Sequence, residues 1–180
     1  MEDDAQPSFK EFMSTYAERR SARFGVTTKV QQDLFSVPEN VSLAHCVTQD
    51  VEMTKGISSV LNRNFGLLDE QQPKVGRVLR LEDGSRYLLY ILTRKSYTDR
   101  PSYENIWRAL TNLKKIVCNY DITNLAWKII TSPKIGHGVE NLDWKIVRSI
   151  LEVVFRETGI RITVCCMNPK MSYPSKTVDY

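Results

Sequence analysis

The residues best equipped for chemistry sit together at Gly136, His137, Gly138 and Glu140, inside the run SPKIGHGVENLDW from Ser132 to Trp144. An apolar run, NLAWKIITSP, leads into them and an amphipathic one, NLDWKIVRSILEVVFRETG, leaves them, so the glycines stand between a strand-like and a helix-like segment. Glycine adopts backbone angles that other residues avoid and lets a ligand approach the main chain. Amide N–H groups ahead of a helix point outward unpaired, and the helix dipole favours negative charge there. A diphosphate is the natural guest for such a loop, with the carboxylate of Glu140 at hand as an acid or base. The same spacing also fits an ordinary strand-to-helix turn, and G-x-G before a helix does not by itself decide between them. His137 between the two glycines either touches a phosphate or ribose or is a spacer. The other histidine, His45, lies in the apolar run VSLAHCV and reads as a hydrogen-bonded core residue.

The rest of the composition excludes more than it assigns. At 180 residues the chain suits one domain with room for a core, and 42% hydrophobic with 26% charged residues is ordinary for a globular protein. No apolar run is long enough to span a membrane, and the opening MEDDAQPS is too acidic and polar for a secretory signal. A net charge of +4 tolerates an anionic ligand without demanding nucleic acid. Cys46, Cys118, Cys165 and Cys166 form no C-x-x-C pair, and with two histidines they make no metal-binding cluster. They read as reduced, buried thiols of an intracellular protein, nuclear or cytoplasmic.

The elements that must position the loop follow from periodicity. In SFKEFMSTYAERR (residues 8–20), Phe9, Phe12, Met13 and Tyr16 fall at helical spacing, with Ser8 and Glu11 as a capping box. VTTKV reads as a short strand and VSLAHCV (41–47) as a buried one. GISSVLNRNFG reads as a short helix stopped at Gly66, and Asp83-Gly84 between two strand-like runs signals a hairpin. PSYENIWRALTNLKKIVCNYD is a helix with Ile106, Leu110, Leu113 and Val117 facing inward. LAWKIIT is a strand, residues 141–158 a helix with Leu142, Ile146, Ile150, Val153 and Val154 on one side, and IRITVCC a last strand. The tail from Asn168 lacks a period and is expected to be mobile. Strands alternating with helices predict an α/β sandwich, with a mixed sheet because of the hairpin. Ligands in such folds gather where carboxyl ends of strands enter loops, and SPKIGHGVEN occupies such a place.

DLF, SLAHC, M-x-x-GI, PSYENI, IGHGVENLDW and ITV, in that order between about Val26 and Met167, together resemble a macro domain. The nearest likeness is to the branch of the terminal ADP-ribose protein glycohydrolases, which are also O-acetyl-ADP-ribose deacetylases. The resemblance implies a three-layer α/β/α domain over 26–167; the N-terminal helical extension over 1–25 and the flexible tail over 168–180 lie outside it. It implies ADP-ribose, free or on protein, as the ligand, and no cofactor. Asp33, Leu34 and Phe35 would line the adenine end, Asp33 accepting from the adenine amine unless it is merely a turn or cap residue. Thr48 would lie near the ligand, or else be a strand-end hydroxyl. Lys134, Ile135, Gly136, His137, Gly138, Val139 and Glu140 would wrap the diphosphate and distal ribose, and Met167 would pack on the adenosine. Lys55, ahead of Gly56 in MTKG, would add a cation near the distal ribose or fill the pocket.

Two departures bear on catalysis. In the resembled branch a strand lysine attacks the anomeric carbon, and an aspartate assists. Ungapped alignment of LTRKSYTDRPSYEN places Arg94 at the lysine position with Lys95 next to it, and Glu140 at the aspartate position. Arginine stays protonated in proteins and cannot attack, although it can grip an anion with two N–H groups. Lys95 needs a bulge to face the same way, because neighbouring strand residues point to opposite faces. Three functions remain open on these residues. One is an ADP-ribose-binding domain with weak hydrolysis of ADP-ribosyl-glutamate or O-acetyl-ADP-ribose. The others are a catalytically silent reader, and a macro-like interaction module that has lost the ligand and presents the N-terminal helix with the basic cluster Arg19, Arg20 and Arg23; in each case a monomer is expected.

Overall fold

The computed structural model describes residues 6–19, 25–49, 74–96, 98–119, 129–136 and 141–166. Six strands form one sheet: β1 (Thr27–Val30), β2 (Ser42–Thr48), β3 (Val78–Asp83), β4 (Arg86–Arg94), β5 (Ile129–Ser132) and β6 (Arg161–Cys165). Their order is β1-β6-β5-β2-β4-β3. Every neighbouring pair is parallel except β3 with β4, so the sheet is mixed and the hairpin supplies its antiparallel edge. Asp83 pairs with Arg86, which makes Gly84 and Ser85 the two-residue turn, one position later than Asp83-Gly84 suggests. The turn needs its positive φ at the first loop residue, and Gly84 supplies it at +60°.

Three described helices pack on one face of the sheet: α1 (Phe9–Arg19), α2 (Tyr103–Cys118) and α3 (Trp144–Val154). Ile106, Leu110, Leu113 and Val117 of α2 are fully buried, as their spacing requires. Ser102 caps α2 by accepting from the Asn105 amide. The last helix is shorter than residues 141–158. Asn141 has φ +52°, outside the helical region, and Asp143 caps the first turn by accepting from the Lys145 amide, so the helix begins at Trp144.

β4 shows how the sheet divides the core. Leu89 and Ile91 join the helix-side cluster, whereas Leu88, Tyr90 and Leu92 join a second cluster with Leu34, Val37, Leu43, Val47 and Cys165 on the opposite face. Burial pushes the Tyr90 phenol up to about 12, so it stays protonated.

The N-terminal helix is built into this core. Ser8 and Glu11 form the expected capping box: the Glu11 carboxylate accepts from the Ser8 amide at 2.7 Å, and the Ser8 hydroxyl accepts from the Glu11 amide at 3.3 Å. Phe12 is fully buried against Trp107, with ring centroids 5.1 Å apart, while Phe9 and Tyr16 pack beside it. Met13, placed in the same stripe by spacing, points out instead and is 37% exposed. Helix α3 fastens the start of β1: the Glu152 carboxylate accepts from the amides of Gly25, Val26 and Thr27 and from the Thr27 hydroxyl.

The expected helix over GISSVLNRNFG, residues 125–128 of the expected fifth strand, the side chains of the Arg19, Arg20 and Arg23 cluster, and the tail lie outside the described residues. Not all the cysteines are buried as expected: Cys165 is, Cys46 and Cys166 are half-buried, and Cys118 is exposed at the end of α2. No described helix is long and apolar enough to cross a membrane.

Candidate functional site

Parallel pairing puts the carboxyl ends of β1, β6, β5, β2 and β4 along one edge of the sheet. The described candidate residues follow these ends in spatial order. Asp33, Leu34 and Phe35 come after β1, Lys134, Ile135 and Gly136 after β5, Thr48 at the end of β2, and Arg94 at the end of β4. Four strand spacings of about 4.8 Å make this a line of roughly 19 Å. That suits an extended, nucleotide-sized ligand laid across the strand ends.

At the β1 end, Asp33 is exposed and starts a 3-10 turn over Leu34–Ser36, its Oδ1 accepting from the Phe35 amide at 3.0 Å. The cap and ligand roles are compatible, because a carboxylate has a second oxygen to offer. Leu34 is 1% exposed and belongs to the core, so half-buried Phe35 is the apolar side chain of this trio with surface to present. Burial pushes the Cys165 thiol up to about 11, with Cys166 and then Asp33 adding to the shift.

In the middle, Ile135 is buried with the helix-side core and Lys134 is half-buried. Gly136 has φ +71°, and a Cβ there would meet Leu142 Cδ1 at 3.0 Å and Ile106 Cδ1 at 3.1 Å. The angle therefore favours glycine, and any side chain there would also need the tips of Leu142 and Ile106 to give by a few tenths of an ångström. The Leu142 amide donates to the Gly136 carbonyl at 2.7 Å, drawing the two stems of the glycine segment together. His137, Gly138, Val139 and Glu140 between these stems lie outside the described residues, as do Lys55, Gly56 and Met167.

At the far end, Thr48 is 4% exposed and pairs with Arg94. Val47 pairs with Leu92, so Thr93 is an extra residue in β4, a bulge in the ladder. The bulge falls ahead of Arg94, and it does not bring Lys95 inward: Lys95 is exposed, whereas Arg94 is 7% exposed. Arg94 Nη1 donates to the Asp99 carbonyl at 3.3 Å, and the Gln49 amide donates to the Arg94 carbonyl at 2.8 Å. The buried cation is thus Arg94, the residue that the ungapped alignment sets against the lysine of the resembled branch.

His45 is half-buried with its Nδ1 fully covered, and burial pushes its pKa down to about 3, so it is a neutral core residue. Among the described residues no group of three His, Cys, Asp or Glu side chains could hold a metal ion.

Sequence reasoning passed over Tyr103. Its phenol oxygen accepts from the Asp143 amide at 3.0 Å, linking the start of α2 to the stem that leads into α3. A tyrosine at the first helical position after a serine cap was the available signal.

No family model matches the chain. It is 38% identical over 140 residues to the ADP-ribose glycohydrolase OARD1 of Bos taurus and 37% identical over the same length to that of Homo sapiens, covering 76% of this chain and 89% of each relative. The macrodomain of Mycobacterium tuberculosis DarG has the same fold, with a TM-score of 0.66 at 20% identity, over 81% of this chain and 99% of that one. Thermosipho africanus DarTG, solved in complex with ADP-ribose, superposes with a TM-score of 0.61 at 17% identity, over 83% of this chain and 43% of that one.

Proposed function

Because the chain belongs to the macro domain family, with the OARD1 ADP-ribose glycohydrolases among its relatives, we propose that it binds ADP-ribose, free or attached to protein, along the carboxyl edge of its sheet. The observation that carries this reading is the order of the strand ends. An acidic and an aromatic residue stand at β1, a glycine turn of the required geometry at β5, and a buried arginine at β4. That order meets adenine, diphosphate and distal ribose in turn. In this reading Asp33 accepts from the adenine amine, Phe35 covers the base with Met167, and the amides from Gly136 to Glu140 hold the diphosphate. Thr48, Lys55 and Arg94 face the distal half.

Turnover by a covalent lysine adduct is not part of the proposed function. Arg94 keeps its proton and has no lone pair with which to form a bond to the anomeric carbon. What this chain retains is a carboxylate at Glu140 that can take a proton from water attacking an ADP-ribosyl ester, a slower route. The protein is thus a reader of ADP-ribose with at most weak hydrolysis.

Calorimetry with ADP-ribose tests the binding. Gly138→Val, which sets a branched side chain where the diphosphate approaches, should weaken it. Absence of heat from the parent protein would leave the interaction-module reading in its place, and equal affinity of the variant would remove the glycine loop from the site.

A further inference from the structure

We infer that the exposed cations around the end of β4, Lys74, Arg77, Lys95, Arg100 and Arg108, form a docking surface for an acidic polypeptide, the part of an ADP-ribosylated protein that flanks its modified side chain. The inference rests on the proposed ADP-ribose site, whose distal half lies at β4. Three separate stretches of chain meet here. β3 runs antiparallel to β4, so the lead into β3 lies beside the end of β4. The Gly76 amide donates to the Leu92 carbonyl at 2.8 Å, and the Leu92 amide donates to the Arg77 carbonyl at 3.0 Å. Arg108 of α2 lays its aliphatic stem over Gly76, where a Cβ would lie 2.6 Å from Arg108 Cδ, and Asn112 donates to the Gly76 carbonyl at 2.5 Å. Arg94, next to Lys95, donates to the Asp99 carbonyl at 3.3 Å, which draws the turn carrying Arg100 to the same strand end.

Among the described residues none of the five cations makes an ion pair. The described carboxylates adjoining these stretches are Asp99, Glu104 and, through Tyr103, Asp143. Two of the three already accept from main-chain amides: Asp99 from Ser96 at 3.2 Å and Asp143 from Lys145 at 2.9 Å. The cations therefore leave an uncompensated positive field, which draws an anionic partner to this end of the edge. With adenine at β1, the anomeric carbon of the distal ribose comes to β4, so whatever carries the ADP-ribosyl group leaves the cleft over these side chains. A carboxylate joined to the sugar as an ester has lost its own charge, while acidic neighbours in the same polypeptide keep theirs and meet the cations. A nucleotide polymer fits less well, because single strands are held by stacking bases on exposed rings. The described rings beside the cations are already committed: Trp107 is buried in the core, and Tyr103 is half-buried with its phenol oxygen on the Asp143 amide.

The test uses two peptides carrying ADP-ribose on one glutamate, with flanking glutamates in one and glutamines in the other, and free ADP-ribose as the reference. By calorimetry at low salt the glutamate peptide should bind roughly five- to tenfold more tightly than the glutamine peptide, the worth of two or three exposed ion pairs. The preference should vanish near 1 M salt, where the Debye length is about 3 Å. Arg77→Glu with Arg100→Glu should abolish the preference and leave the affinity for free ADP-ribose unchanged; both positions are exposed, so the variant should fold. Equal affinity of the parent for the two peptides, or a preference that survives the charge reversal, would overturn the inference. A magnetic resonance titration separates it from the proposed ligand: the glutamate peptide without ADP-ribose should shift the amides of residues 74, 77, 95, 100 and 108. If ADP-ribose fails to bind while these shifts appear, the proposed ligand falls and the acidic docking surface stands. Absent shifts, or larger ones from a single-stranded oligonucleotide of equal charge, would overturn the docking surface itself.

Discussion

Replacing Gly136 by alanine separates two physical demands on the candidate site. The first is the backbone angle: at φ +71° an L-residue costs roughly 1–2 kcal/mol relative to glycine. The second is space. The new Cβ would lie 3.0 Å from Leu142 Cδ1, 3.1 Å from Ile106 Cδ1 and 3.4 Å from Leu142 Cβ. Two of these are tips of flexible side chains that can yield, so the crowding falls in the lower part of the range for overpacking, roughly 1–2 kcal/mol. Together the change should cost about 2–4 kcal/mol, a fall in melting temperature of roughly 5–15 °C for a chain of this size. Gly159 provides the control. Its φ is +72°, and an added Cβ there meets nothing within 4 Å, so Gly159→Ala should show the backbone cost alone. Urea unfolding of both variants gives the difference directly. Leu142 must move in Gly136→Ala, and it bonds through its amide to the Gly136 carbonyl, so ADP-ribose binding should weaken in that variant and not in Gly159→Ala. Equal destabilisation by the two substitutions would refute the steric reasoning. A Gly136→Ala protein that binds ADP-ribose like the parent would refute the link between stem geometry and ligand.

Phe12→Ala should cost roughly 3–5 kcal/mol by urea unfolding, because the ring is fully buried against Trp107, whereas Met13→Ala on the exposed side should cost well under 1 kcal/mol. His45 has its pKa lowered to about 3 by burial, so the folded protein resists a proton that the unfolded chain accepts below about 6.5. Its contribution is complete above that value and is lost as pH falls from there toward 3, at no more than about 1.4 kcal/mol per pH unit. His45→Asn should therefore flatten the decline in stability between pH 6 and 4, measured against the parent by urea unfolding. For chemistry, incubation with ADP-ribosylated protein should leave no sugar adduct on residue 94 or Lys95 by mass spectrometry, and Glu140→Gln should abolish whatever hydrolysis is present. Arg94→Lys with Glu140→Asp supplies a deprotonable amine and a carboxylate one methylene shorter, the pair of the resembled branch, and should gain hydrolysis provided Lys55 leaves the distal ribose room. An adduct on Lys95 would overturn the orientation of β4.

Much of this molecule is written locally. The capping box at Ser8 and Glu11, the inward stripe of α2, the hairpin and the apolar run of β2 follow from interactions between residues near in sequence, and periodicity reports them. So does the glycine turn, since its angle is a property of one residue and its neighbours. The order of motifs along the chain was enough to indicate the macro domain. Boundaries were less legible where a single residue decides: Asp143 moves the start of α3, and Ser85 shifts the hairpin turn. Met13 shares the helical spacing of Phe9 and Phe12 yet faces outward, because partners distant in sequence, Trp107 among them, take up Phe9 and Phe12 and leave Met13 in solvent.

What only the tertiary structure decides is which distant segments meet. Strand order is such a fact: β1 and β6 are neighbours although the rest of the chain separates them, and this pairs Val30 with Cys165. The bulge at Thr93 is another, since it exists only as a mismatch between β4 and β2, and it leaves Arg94 buried and Lys95 in solvent. Tyr103 is a third: its hydrogen bond spans 40 residues to Asp143. Residue types and spacing fix what a side chain is able to do and which element it lies on. Pairing registers and packing angles sum many weak contacts over the whole chain, and no window of the sequence contains them.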